Sequence, residues 1–101
     1  MKAIEAHPEA EEEFHAAVDY YERKVEGLGV EYRAEIRDAI DRIRERPQAY
    51  PLWEDTECRE VQVRRFPFAV YYVDEPACVW VVAFANQYRK PGYWRKRLRN
   101  R

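Results

Sequence analysis

The sequence predicts an α+β fold in which an N-terminal helix hairpin packs on a small antiparallel β-sheet, followed by a short basic C-terminal segment. Two stretches, 10–25 and 32–43, repeat apolar residues at steps of three and four, which is typical of amphipathic helices. Three later stretches between residues 58 and 85 have the length and composition of strands. With 101 residues, the chain has room for one hydrophobic core, so we expect a single domain over residues 1–101.

The first residues predict a short edge strand and then the first helix. The segment KAIEA alternates weakly in polarity, and Pro8 suits a first helical position because the N–H that proline lacks would be unpaired there. Four acids follow at the start of the helix: Glu9, Glu11, Glu12 and Glu13. We interpret these acids as complementing the helix dipole. Gly27 is expected to end the helix.

The second helix follows after a short connection. Its apolar stripe runs from Tyr32 to Ile43, and Pro47 ends it. Three arginines gather near its C-terminal end, where the helix dipole favours cations: Arg42, Arg44 and Arg46. Because the connection EGLGV is short, the two helices should lie antiparallel as a hairpin.

The remaining chain predicts three strands. CREVQVRRF (58–66) alternates in polarity and ends at Pro67, FAVYYV (68–73) is apolar throughout, and CVWVVAFA (78–85) follows the turn DEPA. In the last strand we expect Cys78, Trp80, Val82 and Phe84 to share one face, and Val79, Val81, Ala83 and Ala85 to share the other. Strands without a polar face are normally covered on both sides.

The helix hairpin can cover only one face of this sheet. Two alternatives remain open for the second face. The C-terminal segment can fold back over it, with Tyr93, Trp94 and Leu98 as a lid, or a partner chain can lay a helix or strand on it.

Composition and motifs exclude several classes of protein. The longest apolar run, 78–85, is far short of the ~20 residues that a membrane span needs, and no signal peptide is evident, so we expect a cytoplasmic protein. Serine is absent and Thr56 is the single threonine, which disfavours a hydroxyl nucleophile. Cys58 and Cys78 are interpreted as small apolar strand residues, and His7 and His15 as surface histidines.

Charge is distributed unevenly along the chain. The formal net charge is −1, yet residues 1–31 carry nine acids and three bases, whereas residues 59–101 carry three acids and ten bases. This polarity can steer an anionic partner to the basic half. If the strands that carry them are neighbours, the following residues should converge at one sheet edge, where guanidinium groups suit phosphate: Arg59, Arg64, Arg65, Arg89 and Lys90.

Four segments, in chain order, are HPEAEEEFHAAVDYYE, GLGVEY, RRFPFAVYY and VWVVAFANQYRKPGYW. Together they resemble the ParE-like branch of the RelE/ParE superfamily, the toxins of bacterial type II toxin–antitoxin (plasmid stabilisation) modules. The resemblance covers nearly the whole chain. It implies a helix hairpin on a small antiparallel sheet and a cognate antitoxin whose C-terminal segment wraps the toxin.

The resemblance also implies one of two activities. ParE-like proteins inhibit DNA gyrase by binding, and RelE-like proteins cut mRNA on the ribosome without metal. We expect the binding activity, because the candidates for proton transfer are Tyr88, Lys90 and Tyr93, whose reference pKa values lie near or above ~10. Asn86 stands where many relatives carry His, and an amide cannot act as a general base. We expect Asn86 to hydrogen-bond its loop into shape.

The predicted target-binding set combines basic and aromatic residues: Arg59, Arg64, Arg89, Lys90, Trp94, Arg95 and Arg97. If the chain is instead a ribonuclease, Arg65 and Arg89 would contact phosphate and Tyr93 would transfer a proton. Whether the chain is an enzyme stays open. We expect no cofactor, metal, membrane contact or small-molecule ligand. The expected partners are an antitoxin and either gyrase or the ribosome with its mRNA.

Overall fold

The computed structural model describes residues 2–99, and within them it contains two helices, four strands and a 3-10 helix. In chain order these are β1 (Ala3–Ala6), α1 (Pro8–Lys24), α2 (Leu28–Glu45), β2 (Arg59–Gln62), β3 (Phe68–Asp74), β4 (Cys78–Asn86) and the 3-10 helix (Arg95–Arg99). The predicted α+β fold with a short basic C-terminal segment is therefore confirmed. The last two residues of the predicted basic tail, at positions 100 and 101, lie outside the described residues.

The sheet has the strand order β1-β4-β3-β2 and is mixed. Strands β2, β3 and β4 form an antiparallel meander, whereas β1 pairs parallel with β4 from Ala3↔Cys78 to Ala6↔Val81. The predicted edge position of the first strand and the antiparallel arrangement of the three later strands are confirmed, whereas the parallel pairing of β1 was not predicted. The helix hairpin is the crossover that connects β1 to β2, and because β2 and β4 run in the same direction within the meander, β1 lies parallel to β4.

His7 caps helix α1. Its Nδ1 atom accepts a hydrogen bond from the Glu9 backbone N–H at 3.0 Å, and its side chain is buried against the ring of Trp80. A side-chain acceptor at this position satisfies one of the unpaired N–H groups of the first turn. The prediction that His7 is a surface histidine is therefore wrong, whereas His15 is exposed as predicted.

Gly27 begins α2 rather than ending α1. Its φ of 87° lies in the left-handed region, and it occupies the N-cap of α2. The Glu22 carboxylate accepts hydrogen bonds from the backbone N–H groups of Gly27 and Gly29, at 2.8 and 2.9 Å. This carboxylate, located in the last turns of α1, ties the two helices into the predicted hairpin.

Strand β2 is shorter than predicted. It ends at Gln62, so Arg64 and Arg65 lie in the turn to β3, where Arg65 has a positive φ of 68°. The side chains of Val63 and Phe66 are buried within this turn. The alternation of apolar and polar residues thus continues past Gln62, the last residue of β2 that pairs with β3. Apolar side chains can be buried without strand pairing, so the pattern predicted too long a strand.

A register shift in β4 alters the predicted division of its two faces. Tyr71 pairs with Ala83 but Tyr72 pairs with Val81, so Val82 is an extra residue in the ladder. As predicted, Val79 and Val81 share one face, and this face packs on the helices. Beyond the bulge, Phe84 joins them, while Ala83 and Ala85 lie on the opposite face with Trp80 and Val82. The predicted faces of residues 83–85 are therefore wrong, because a bulge exchanges the faces of all residues beyond it.

Both faces of the sheet are covered by the chain itself. The helix hairpin packs Tyr32, Ile36 and Ile43 against one face. On the other face, Trp94 is 1% exposed and packs with Trp53 and the sheet. Of the two alternatives for the second face, the folded-back C-terminal segment is the one that this structure confirms. Within residues 2–99, the helices lack the length and apolar character that crossing a bilayer demands.

Candidate functional site at the C-terminal segment

The C-terminal segment, residues 87–99, turns back over the sheet directly after β4. The Asn86 side-chain oxygen accepts a hydrogen bond from the Tyr88 N–H at 2.8 Å, which confirms its predicted role in shaping this loop. Gly92 has a φ of 77°, and a Cβ atom there would lie 2.8 Å from a ring carbon of Trp53. Glycine is therefore needed at this point, both for the backbone conformation and for the close approach.

Trp94 anchors the segment to the second face of the sheet. Its ring centroid lies 4.5 Å from that of Tyr71 and 5.1 Å from that of Trp53. Such contacts add to the burial of a large apolar surface. Trp94 is fully enclosed, so the prediction that it contacts a target does not fit this structure. The Trp94 side chain packs on the apolar face of the sheet instead.

Arg97 is buried in an ion pair with α1. Its two terminal nitrogens bind the two Glu13 oxygens at 3.0 and 2.9 Å, and Nη1 also donates to the Val82 carbonyl at 3.0 Å. Burial by itself lowers the pKa of Arg97, but the hydrogen bonds and charge of Glu13 outweigh it, so the pKa is raised and the guanidinium stays charged. At 4% exposure, Arg97 also does not fit its predicted role in target contact.

Tyr93, which is half-buried, and the exposed Arg89 continue this network toward the surface. The Tyr93 hydroxyl donates to Glu13 Oε2 at 2.5 Å, and the Arg89 guanidinium carbon lies 3.7 Å from the Tyr93 ring centroid. Burial, followed by the hydrogen bond to Glu13, raises the pKa of Tyr93. The hydroxyl is thus held as a donor. By contrast, 54% of the Arg89 side chain remains exposed.

Further exposed groups surround Arg89. Tyr88 is 87% exposed, and Lys90 is exposed as well. Arg95 lies with its guanidinium 4.9 Å from the Trp53 ring and 2.8 Å from a Glu54 carboxylate oxygen, while nearly half of its side chain stays accessible. The exposed part of the segment therefore combines cations with aromatic surface.

The three arginines in and after β2 contact groups outside the C-terminal segment. Strand β3 separates β2 from β4, so the expectation that their arginines meet is wrong. Arg59 donates to the Tyr50 carbonyl at 2.7 Å, and Arg64 lies 3.5 Å from Asp38. Arg65 binds acids of α2, with Glu31 at 2.6 Å and Glu35 at 3.4 Å. The hydrogen bond to Glu31 is the largest cause of the raised pKa of Arg65.

This arrangement does not assemble the predicted ribonuclease set. Arg89 and Tyr93 are in contact, but Arg65 and Arg89 bind acids of different helices, α2 and α1. Tyr93 is held protonated, so it cannot take a proton from a nucleophile near neutral pH. Among residues 2–99, no cluster of His, Cys, Asp and Glu side chains is arranged to hold a metal ion.

Arg89 and Tyr93 separate two surface clefts. One cleft, of about 340 Å³, lies beside α1 and is lined mainly by apolar and aromatic side chains that include Ala17, Tyr21 and Phe68. The other, of about 270 Å³, lies toward the second sheet face and is lined by Trp53 and Lys90, among others. Arg89 contributes to both clefts, so a partner seated in either one would contact it.

Sequence reasoning missed the role of Glu13. It grouped this residue with the acids at the start of α1, whereas the Glu13 side chain is only 13% exposed and binds the C-terminal segment. The signal was present in the spacing, because Glu13 lies three residues after Ala10 and four before Ala17, and both alanines are buried. An acid within an apolar stripe indicates a buried charge that needs a partner.

No protein-family model matches the chain, and no curated protein matches it. Among solved structures, the chain matches a chain described as "Chromosomal ParDE TA system from P. aeruginosa", with a TM-score of 0.63 and 13% sequence identity. The match covers 85% of this chain and 96% of that one. The predicted ParE-like fold is confirmed. At this identity the likeness shows the fold alone, with a helix hairpin on one face of a four-stranded sheet.

Proposed function

We propose that this chain is the toxin of a type II toxin–antitoxin module, ParE-like, which acts in the bacterial cytoplasm by binding and inhibiting an essential target such as DNA gyrase. The observation that supports it is the likeness of almost the whole fold to a chain from a ParDE toxin–antitoxin system. Plasmid stabilisation is the corresponding physiological role. The chain is a single domain in this proposal, with the target surface on the C-terminal segment.

The geometry favours inhibition by binding over RNA cleavage. Tyr93 is held as a hydrogen-bond donor, Asn86 carries no titratable group, and His7 is buried as a helix cap. Metal-free RNA cleavage requires groups that remove and supply protons at the reacting oxygens. None of these three side chains can remove a proton from a nucleophile next to Arg89. Cations and aromatic surface, however, suit contact with an acidic partner surface.

Arg89 and Lys90 are the centre of the proposed target surface, with Arg95 and Tyr88 at its margin. Each is exposed, and Arg89 is held in a defined orientation by the Tyr93 ring. Arg59 and Arg64 lie outside this surface, since they bind the Tyr50 carbonyl and Asp38 respectively. An arginine that is both exposed and already ordered is a good candidate for a binding hot spot.

A cognate antitoxin is the second proposed partner. Because Trp94 and its neighbours cover the second sheet face, the antitoxin either binds another surface or displaces the C-terminal segment. A small gene for an acidic-tailed protein beside the gene for this chain, whose product co-purifies with it, is the expected finding. An isolated gene with no co-purifying protein would contradict this part of the proposal.

The test is expression of the chain alone, followed by two assays on the purified protein. We expect growth arrest, inhibition of gyrase supercoiling and no cleavage of ribosome-bound mRNA. Arg89→Ala should relieve growth arrest and raise the half-inhibitory concentration by about tenfold or more. Arg23→Ala is the matched control, since Arg23 is an exposed base in the last turn of α1. Clean mRNA cuts with normal supercoiling would overturn the proposal.

A further inference from the structure

Glu13 is an acid on the buried side of α1. Its Oε1 atom accepts a hydrogen bond from the Phe84 backbone N–H at 3.1 Å, which fixes the carboxylate against β4. The two oxygens also receive the guanidinium fork of Arg97 and the hydroxyl of Tyr93. A carboxylate with donors from the sheet and from the C-terminal segment has little freedom to move.

The fixed Glu13 carboxylate also contacts an exposed side chain, Arg89. Arg89 Nη1 lies 3.4 Å from Glu13 Oε2, and the same oxygen accepts the Tyr93 hydroxyl. The Tyr93 ring, oriented by that hydrogen bond, lies under the Arg89 guanidinium. Arg89 is therefore held from below by an aromatic ring and at its edge by an acid, while about half of its side chain stays exposed.

We infer that Glu13 is a positioning residue that orders Arg89 for contact with an acidic partner. The part of this inference that concerns the target rests on the proposed function. The physical reason is entropic, because a long arginine side chain loses rotamer freedom when it binds, and a side chain that is already ordered loses less. Glu13 does not itself contact the target, since Arg97, Tyr93 and the sheet surround it.

The orientation of Arg89 is measured first, without any assay of activity. Protons of an arginine side chain above an aromatic ring show upfield ring-current shifts in NMR spectra. We expect Glu13→Gln to remove this shift from Arg89. Glu12→Gln should keep it, because Glu12 is an exposed acid on the same helix whose loss changes the net charge equally. A shift that persists in Glu13→Gln would overturn the inference, whatever the protein does.

A second pair of variants separates positioning from folding. Arg97→Met removes the buried ion pair but leaves Glu13 with Tyr93 and Arg89, so the ring-current shift should persist. If Glu13→Gln fails to fold, the combined change Glu13→Leu with Arg97→Met removes both buried charges together, which proteins tolerate better than the loss of one. The shift should disappear in this double variant. Its persistence there would contradict a positioning role for Glu13, as would its loss in an Arg97→Met variant whose C-terminal segment resists trypsin as well as that of the wild type.

A double-mutant cycle on inhibition of gyrase supercoiling tests the functional consequence. Glu13→Gln should weaken inhibition by about three- to tenfold, the effect of ordering one long side chain. In the Arg89→Ala background the same change should have less than about a twofold effect, because the positioned group is absent. Effects that simply multiply would show that Glu13 acts through general stability. If the wild-type chain inhibits nothing, the proposed function fails and the NMR comparison alone decides the inference.

Discussion

The two faces of the sheet are covered in different ways. On one face lie α1 and α2, which span 17 and 18 residues. The α2 side chains of Tyr32 and Ile43 are fully buried on the side that faces the sheet. The other face carries a connecting loop and a 3-10 helix of five residues. There the cover includes the ring of Trp94 and a buried ion pair, Arg97 with Glu13.

Because of this difference, we expect the helix face to contribute mainly to stability and the second face mainly to the proposed function. The helices satisfy most of their backbone groups internally, so each apolar contact beneath them adds to an element that is already regular. The C-terminal segment has little such support, and its position depends on a few side chains. The proposed target-binding residue Arg89 lies at the start of that segment. Substitutions on the second face should therefore reduce function before they unfold the protein. Substitutions on the helix face should reduce function only by unfolding it.

The largest expected effect comes from removing the aromatic anchor. Trp94→Ala should lower the free energy of unfolding by about 3–5 kcal/mol, as measured by urea denaturation. It should also make the peptide bonds after Arg95, Lys96 and Arg97 early targets in limited trypsin digestion. Ile43→Ala, a change of about 2–5 kcal/mol on the helix face, is the control. Equal early cleavage in both variants would mean that the two faces are not independent.

A comparison of two glycines should have the next largest effect. Gly27 and Gly92 both have positive φ angles, but a Cβ atom at Gly27 meets nothing within 4 Å, whereas at Gly92 it meets Trp53. Gly27→Ala should therefore cost about 1 kcal/mol from the backbone alone. Gly92→Ala should cost about 2–3 kcal/mol, because overpacking is added to strain. Thermal or urea unfolding of both variants checks this; equal losses would contradict the close packing of Trp53.

The helix cap supplied by His7 should have a smaller effect. His7→Ala removes the side-chain acceptor for the Glu9 N–H and should cost about 1 kcal/mol in urea denaturation. His7→Asn keeps a side-chain acceptor at this position and should recover most of that loss. A variant with asparagine that is as unstable as the alanine variant would show that packing against Trp80, and not the cap, carries the contribution.

The smallest expected effect is the pH dependence of the ion pair between Lys2 and Asp74, which ties the start of β1 to the end of β3. The hydrogen bond from Lys2, at 2.6 Å, is the largest cause of the lowered pKa of Asp74. The unfolded chain binds the proton first, so this stabilisation is present above about pH 4 and is lost as the pH falls through the lower folded-state value. Asp74→Asn should cost about 0.5–1 kcal/mol at pH 7.

Urea midpoints at pH 7 and near pH 2 measure this effect. The difference between wild type and Asp74→Asn should shrink toward zero at the acidic pH. Asp19→Asn is the control, since Asp19 is an exposed acid on α1 and its replacement should change little at either pH. A difference that stays constant between the two pH values would mean that the charge of Asp74 does not stabilise the fold.

The sequence predicted much of the fold and less of the candidate site. Local patterns, such as the stripe on α2 and the apolar runs of β3 and β4, depend on neighbouring residues and can be recognised without coordinates. The bulge at Val82 left no such signal, so the face of Phe84 was predicted wrongly. For the site, Arg89 and Lys90 are exposed where contact was predicted, but the partners of Arg65 and Arg97 depend on how distant segments approach each other.

By itself, the sequence determined the identity of the elements, the hairpin of helices, the edge position of the first strand and the concentration of positive charge at the C-terminal end. These follow from periodicity and composition, which act over a few residues. Only the tertiary structure decided that Arg97 is buried while Arg89 stays exposed. The reason is that Glu13 and Arg97 are 84 residues apart in the chain, and the burial of a charge depends on which partner the fold brings to it.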